Sequence, residues 1–116
     1  MRPVHILRLY FAVSARVPER RWWKRATSGA LGPYLLKQAK EAGIHQAILQ
    51  SVSAGYLNGG PIAWDFSETP PPKLPQCLEL IGDEDLLKVF LEVENPYLMD
   101  VRAVLSREMG VVAKDA

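Results

Sequence analysis

Apolar and polar positions alternate from Val4 to Val13, which is the period of a β-strand. One face of this strand is expected to lie in the core and carries His5, Leu7, Leu9, Phe11 and Val13. The opposite face is also largely apolar, yet it includes Arg8. A face of this composition suits contact with another subunit better than burial beneath helices. We therefore predict that the sheet packs there against a second copy of the chain.

A helical period follows between Ala30 and Ala42, where apolar residues form one stripe: Leu31, Tyr34, Leu35, Ala39 and Ala42. Ser28 or Gly29 is the expected N-cap. Pro33 requires the helix to begin late or to bend slightly, because proline is tolerated only in the first turn. Gly43 fits the position just after the helix, where the chain turns left-handed.

A long loop follows the second predicted strand, which runs from Gln46 to Ala54. Neither period continues from Gly55 to Pro75, and five of the nine prolines fall there: Pro61, Pro70, Pro71, Pro72 and Pro75. A loop of this length inside a compact domain usually either has a function or is disordered. It is the first candidate for a functional segment.

Two strands and a helix complete the pattern. Alternation predicts a strand from Gln76 to Ile81, and Asp83 is the expected N-cap of a helix that stops before Pro96. This helix is expected to bury one stripe, formed by Leu86, Phe90 and Val93 with Leu87 and Val89 beside it. A last strand is predicted from Val101 to Met109, followed by a loose tail, residues 111–116.

The order strand, helix, strand, strand, helix, strand is typical of the ferredoxin-like α+β fold, in which two helices cover one face of a four-stranded antiparallel sheet. A chain of 116 residues suits a single domain that spans all of residues 1–116. The other face of such a sheet commonly binds RNA, another subunit or a small ligand, and the fold alone does not choose between them.

Composition and charge narrow the function. The chain is 48% hydrophobic and 23% charged, and its formal charge of +1 predicts no strong attraction to nucleic acid or membrane surfaces. The single cysteine, Cys77, cannot form an intrachain disulfide, and no signal peptide pattern is visible, so we expect a cytoplasmic protein. No run approaches the roughly 20 apolar residues that span a bilayer. We therefore expect a protein that is not embedded in a membrane.

The segment from Arg16 to Arg25 combines basic residues with Trp22 and Trp23. Such a segment can bind the bases and phosphates of single-stranded RNA. It can equally be a solvated turn or short helix, begun by Pro18, whose tryptophans pack on the domain or on a neighbour. We favour the second interpretation and keep an RNA-binding module as an alternative.

Little in the sequence points to catalysis. His5 and His45 are far apart, and each is expected to be a structural strand residue, as Cys77 is expected to be an inert core residue. No metal-ligand spacing, nucleophile arrangement or phosphate-binding glycine loop occurs. We expect a protein that is not an enzyme, with the dimeric barrel enzymes of ferredoxin-like topology as an alternative.

Three stretches of the chain resemble the PII-like proteins, the superfamily of the nitrogen regulatory protein PII, and especially its small uncharacterised branch. His5–Tyr10 is similar to the branch's opening strand. Leu31, Leu35–Gly43 and the strand after Ile44 are similar to its first helix and second strand. Leu74–Glu84 is similar to its third strand and the start of its second helix.

This resemblance implies a homotrimer whose sheets pack together inside, with clefts between subunits that often hold adenine nucleotides. It also implies a mobile loop, here Gly55–Pro75, that contacts partner proteins, some of which are membrane transporters. We expect ligand contacts from Arg8, Gly55, Tyr56, Gly59, Gly60, Arg102 and Arg107. We expect partner contacts from Tyr56, Trp64, Asp65 and Phe66.

The sequence departs from the PII pattern in one segment. PII proteins carry a glycine- and lysine-rich phosphate loop between the second helix and the last strand, where this chain reads Glu94 to Asp100. The long loop is acidic and aromatic, with Lys73 as its single cation. A small anionic metabolite is therefore a better expectation than a triphosphate, and an oligomeric scaffold without a ligand is an alternative function.

Overall fold

The computed structural model describes residues 2–17, 29–66 and 68–110. In chain order its elements are β1 (Arg2–Ala12), α1 (Leu31–Glu41), β2 (Gln46–Ser51), β3 (Ala54–Gly55), β4 (Ala63–Trp64), β5 (Pro75–Gly82), α2 (Glu84–Glu94), a 3₁₀ turn (Asn95–Tyr97) and β6 (Arg102–Gly110). Four of the strands form one antiparallel sheet in the order β2-β5-β1-β6. The ferredoxin-like α+β fold predicted from the sequence is confirmed.

The core lies between this sheet and the two helices. Leu7 of β1 pairs with Leu80 of β5, and Leu9 pairs with Leu78, so four large apolar side chains share one face. All four are at most 1% exposed. Leu35, Leu87 and Phe90 of the two helices cover this face and complete one buried cluster. The strand alternation that the sequence predicts therefore decides which sheet face the helices cover.

Helix α1 begins later in the chain than either predicted N-cap, Ser28 or Gly29, implies. Its N-cap is Ala30, so the prediction of Ser28 or Gly29 is wrong. Because the helix begins at Leu31, Pro33 falls within its first turn, where a missing N–H costs no helical hydrogen bond. Gly43 has φ of +79°, which confirms the left-handed turn after the helix.

Helix α2 begins after Asp83 as predicted, but it buries a different stripe. Val93 is 65% exposed, whereas Leu87 and Phe90 are buried together with Glu94. The expected burial of Val93 is therefore wrong. The helix carries apolar residues on two adjacent stripes, and periodicity alone cannot decide which of them faces the sheet.

The long loop is partly a hairpin. β2 ends at Ser51 rather than Ala54, and Ala54–Gly55 pairs instead with Ala63–Trp64 in a separate two-stranded ribbon. Between them Asn58 and Gly59 have φ of +52° and +71°, and the Gly60 N–H donates to the Leu57 carbonyl at 3.0 Å. Positive φ at both central residues is typical of a type I′ turn, for which Asn-Gly is the preferred dipeptide. The expectation of a loop without regular pairing is therefore wrong.

Two predictions concern other parts of the chain. The basic segment around Trp22 and Trp23 and the loose tail at 111–116 lie outside the described residues, and both stay predictions. Across the described ranges, no helix has the length and apolar character needed to cross a membrane.

Candidate functional site

A cleft of about 500 Å³ opens where the end of β1, the root of the long loop and the segment after α2 meet. Each of these three parts contributes to its lining. The residues that define its chemistry are Ser14, Arg16, Asn58, Gly60, Lys73, Tyr97 and Asp100. Leu31, Leu57 and Met99 add apolar surface.

Backbone hydrogen bonds hold the walls of the cleft in place. The N–H groups of Val13 and Ser14 donate to the carbonyls of Leu74 and Pro72, at 2.8 and 3.2 Å. These bonds extend the pairing of β1 with β5 beyond the sheet and fix the chain around Lys73. On the other side, the N–H of Leu31 donates to the Ala15 carbonyl at 2.8 Å and joins the first turn of α1 to the same wall.

The charges in the cleft favour an anion. Arg16 and Lys73 supply two cationic side chains from separate walls, and Asp100 supplies one carboxylate. Tyr97 and the apolar residues form a surface on which a planar ring can lie. An apolar wall beside a few charged groups is the usual composition of a small-molecule site. The arrangement is suited to hold a ligand that joins an apolar ring to an anionic group.

The structure distributes the predicted ligand residues over three regions. Gly60 lines the cleft, while Gly55, Tyr56 and Gly59 lie in the hairpin beside it. Arg8, Arg102 and Arg107 lie on the sheet, outside the cleft lining. The roles of all seven residues in ligand binding stay predictions.

Sequence reasoning did not assign Arg16, Lys73, Tyr97 or Asp100 to a ligand site. Arg16 belongs to the basic segment and Lys73 to the long acidic loop. Tyr97 and Asp100 belong to the segment that stands where PII proteins have their phosphate loop. No local motif connects these stretches, because they are joined only when β1 pairs with β5 and the chain returns along β6.

The sheet face away from α1 and α2 combines apolar and charged side chains, and we refer to it as the outer sheet face. The register places Ile6, Arg8, Tyr10, Ile48, Cys77, Glu79, Ile81, Val104 and Glu108 on it. Arg8 Nε lies 3.2 Å from Glu79 Oε2, and Arg8 Nη2 lies 3.8 Å from Glu108 Oε2. Arg8, Glu79 and Glu108 are therefore paired within the subunit, which lowers the cost of covering these three charges.

Cys77 is buried on the outer sheet face. Burial raises the pKa of its thiol, and the nearby Glu79 carboxylate raises it further. A thiol with a raised pKa forms little of the reactive thiolate at neutral pH. The expected burial of Cys77 is confirmed, but Cys77 lies on the outer sheet face and not in the cluster between the sheet and the helices.

His5 has a structural partner. Its Nε2 lies 2.7 Å from Glu84 Oε2 at the start of α2 without the geometry of a hydrogen bond, while Lys88 Nζ donates a hydrogen bond of 2.6 Å to Glu84 Oε1. The pKa of Glu84 is lowered, first by the hydrogen bond and charge of Lys88. In residues 2–17, 29–66 and 68–110, no group of three metal-ligating side chains occurs.

The outer part of the hairpin exposes a row of apolar side chains. Ile62, Trp64 and Phe66 alternate along the chain and are 55%, 51% and 84% exposed. The rings of Trp64 and Phe66 stack with centroids 5.4 Å apart and planes 8° from parallel. Pro61, Pro71 and Pro72 border the same surface and form a shallow apolar groove of about 450 Å³. We refer to this surface as the loop patch.

Comparison with known proteins identifies the fold. No protein-family model matches the sequence, and neither does any curated protein sequence. Solved structures do match. A PII-like signalling protein from Thermus thermophilus superposes with a TM-score of 0.59 at 12% identity, over 91% of this chain and 87% of that one. The chain has the PII-like fold.

A second structure with the PII-like fold is CPII, a nitrogen regulatory PII-like protein from Thiomonas intermedia. It was solved bound to ADP, AMP and bicarbonate, and it matches with a TM-score of 0.56 at 11% identity over 92% of this chain and 89% of that one. The same protein bound to ADP and bicarbonate matches with a TM-score of 0.54. This chain therefore shares its fold with PII-like proteins to which it is only 12% and 11% identical in sequence.

Proposed function

We propose that this protein is a PII-like regulatory protein. It forms a homotrimer, binds a small anionic metabolite of the adenine nucleotide class in the cleft, and engages a protein partner through its long loop. The observation that carries this proposal is that the root of the loop, at Leu57, Asn58 and Gly60, is itself a wall of the cleft.

The size and chemistry of the cleft support a nucleotide ligand. Its volume of about 500 Å³ lies within the range of small-molecule sites, which is about 300 to 1,000 Å³. Tyr97 and Leu57 offer apolar surface to an adenine ring, while Arg16 and Lys73 offer positive charge to phosphates. These two cations take the place of the lysine-rich phosphate loop that the sequence lacks.

A ligand in the cleft lies against the root of the long loop, because Leu57, Asn58 and Gly60 line the cleft. The type I′ turn at Asn58–Gly59 connects the cleft wall to the ribbon that carries the loop patch. A ligand that contacts one arrangement of the turn better than another shifts the population toward that arrangement. The loop patch then presents a different surface when the cleft is occupied.

The loop patch supports a protein partner. Contiguous exposed apolar surface bordered by polar residues commonly marks an interaction site. Trp64 and Phe66 supply aromatic anchors, and Asp65 between them adds a negative charge that favours a partner with basic residues. The resemblance to PII-like proteins suggests a membrane transporter as one class of partner.

The outer sheet face supports the trimer. Ile48 and Val104 are 43% and 40% exposed, so apolar surface remains open on a sheet whose other face is covered. Because Arg8 is paired with Glu79 inside the subunit, another subunit can cover this face without leaving the Arg8 charge unpaired.

Hydrogen exchange tests the link between cleft and loop. We expect saturating ADP to slow amide exchange in residues 55–66 while exchange in the interior of α1 stays unchanged. Bound ligand should stabilise one arrangement of the turn, where the Gly60 N–H donates to Leu57 and the Asp65 N–H donates to Ser53 at 2.9 Å. Binding of ADP with unchanged exchange in the loop would contradict the sensor mechanism. Absence of ADP binding would favour the oligomeric scaffold.

A further inference from the structure

The strand β4 of the loop ribbon has one paired edge and one open edge. The register pairs it with β3, and just beyond it the Asp65 N–H donates to the Ser53 carbonyl at 2.9 Å. The C=O and N–H of one trans peptide unit point in opposite directions. The Trp64 carbonyl, which shares a unit with the Asp65 N–H, therefore points away from β3. The same reasoning at Ala63, which pairs with β3, turns the Trp64 N–H and the Ile62 carbonyl away as well.

The groove beside β4 has an opposite wall that cannot pair with this edge. It lies between residues 61–64 and the prolines of the loop, and neither residue of β3 lines it. Pro71 and Pro72 have no N–H, and their carbonyls already accept hydrogen bonds from Leu74 and Ser14 at 3.0 and 3.2 Å. Among the described residues, no backbone hydrogen bond of a loop or turn reaches the open edge. The edge therefore lies free beside a groove of about 450 Å³.

The side chains around the open edge define the chemistry of a strand that complements it. Trp64 and Phe66 stack on one face of the ribbon beside the exposed Ile62, so alternate residues of an added strand must be apolar. Asp65 alternates to the other face and is exposed, as is Glu68 shortly after it. Opposite charges across a strand pair stabilise it, whereas like charges destabilise it. A second copy of β4 would bring two Asp65 carboxylates together, while a strand with basic residues would pair with them.

We infer that β4 takes up an extended segment of the partner protein as a third strand of the ribbon, and that apolar and basic residues alternate in this segment. The inference rests on the proposed function, because it specifies how the loop patch binds its partner. The backbone groups of Ile62 and Trp64 form hydrogen bonds with the segment, and its apolar side chains pack on the stacked rings. In this mode of recognition, main-chain pairing provides affinity and alternate side chains provide specificity.

The groove and the cleft share part of their walls. Pro61 and Lys73 line both of them. A segment beside β4 and a nucleotide in the cleft therefore have two contact residues in common. If nucleotide binding changes the affinity for the segment, the segment changes the affinity for the nucleotide by the same factor.

A synthetic peptide tests strand addition without any nucleotide. The probe is an acetylated and amidated heptapeptide of alternating valine and lysine, and a peptide with glutamate in place of lysine is its charge-reversed match. Binding is followed by the amide signal of Trp64 in ¹⁵N-labelled protein. We expect the lysine peptide to bind with a Kd of about a millimolar or below, and the glutamate peptide to bind at least about threefold more weakly. Equal affinities, or no binding of the lysine peptide, would overturn the inference.

Methylation of the peptide nitrogens decides whether the main chains pair. Successive residues of a strand direct their N–H groups to opposite edges, so methylating either the valine or the lysine nitrogens blocks one edge only. We expect one methylated set to abolish binding and the other to change the affinity by less than about threefold. Similar losses with both sets, or with neither, would show contact through side chains alone and would overturn strand addition.

Trp64→Pro and Trp64→Val form a matched pair of protein variants. Each removes the ring, but only proline removes the N–H that faces away from β3, and the N–H groups of Ala63 and Asp65 are kept in both. We expect the proline variant to bind the lysine peptide about fivefold more weakly than the valine variant, which is the effect of one backbone hydrogen bond. Val93→Ala changes an exposed apolar residue of α2 and should bind like the natural protein. Equal affinities of the two Trp64 variants would count against main-chain pairing.

Failure of the proposed function gives a different result. If ADP does not bind, or binds without altering the affinity for the lysine peptide, the nucleotide sensor fails and the peptide titrations still decide strand addition. If ADP binds and alters that affinity while both methylated peptides bind equally, the sensor stands and strand addition is overturned.

Discussion

Replacing both Ile48 and Val104 with lysine is expected to dissociate the proposed trimer into folded monomers. The two residues lie on β2 and β6, on either side of the central strands, and both contribute exposed apolar surface to the outer sheet face. Burying an unpaired charge costs several kcal/mol per ion. Two such charges in each subunit should weaken association by about a thousandfold or more. Sedimentation velocity at micromolar concentration measures this directly.

A matched control uses the exposed apolar stripe of α2. Val89 and Val93 are 52% and 65% exposed, yet they lie on the opposite side of the molecule from the outer sheet face. Changing both to lysine introduces the same charge and should leave the trimer intact. If the Ile48 and Val104 variant sediments as a trimer, or if the control dissociates, the outer sheet face is not the trimer interface.

Lys73→Glu is expected to reduce ADP affinity at least about a hundredfold. Lys73 follows the proline run of the long loop and faces the cleft, where it adds one of two positive charges. The change removes a charge-assisted hydrogen bond to phosphate and places a carboxylate in its position. The two effects together should lower ADP affinity by more than about a hundredfold. Because the side chain is exposed, we expect the thermal stability of the protein to change little.

Lys40→Glu provides the control for charge. Lys40 is an exposed residue in the last turn of α1 and takes no part in the cleft lining. Its reversal alters the net charge by the same amount and should change ADP affinity by less than about threefold, as expected for a distant and screened charge. Calorimetric titration of both variants at one salt concentration compares them. Equal losses in both would show that net charge, and not the cleft, governs binding.

The sheet could be predicted from the sequence because strand alternation is a local property. Leu7, Leu9 and Phe11 share a face whatever the partner strand is, and a face with three large apolar residues must be buried. The same holds for Leu78 and Leu80 of β5. Once four strands and two helices are fixed in order, few antiparallel arrangements remain.

The loop and α2 show where local patterns fail. Two-residue strands such as Ala54–Gly55 are too short to show any period, although the Asn58–Gly59 dipeptide was a usable turn signal. In α2 the polar Glu94 is 3% exposed and the apolar Val93 is 65% exposed, the reverse of what their side chains suggest. No pattern within the helix contains that information.

The cleft was hardest to predict because it is assembled from distant segments. Arg16, Lys73 and Tyr97 belong to three separate stretches, and only the pairing of β1 with β5 and the turn after α2 bring them together. The resemblance to PII-like proteins led to the correct fold, and Gly60 lines the cleft, although its role in ligand binding stays a prediction. It could not supply the cations, because the phosphate loop that carries them in PII proteins has a different sequence here.

Native mass spectrometry tests the central claim most directly. The protein should be recorded as purified and then with AMP, ADP and ATP added in turn. We predict a trimer that gains up to one nucleotide per subunit, with the Lys73→Glu trimer gaining none under the same conditions. A monomer or dimer, or a trimer that remains without nucleotide in all three additions, would contradict the proposal of a trimeric nucleotide sensor.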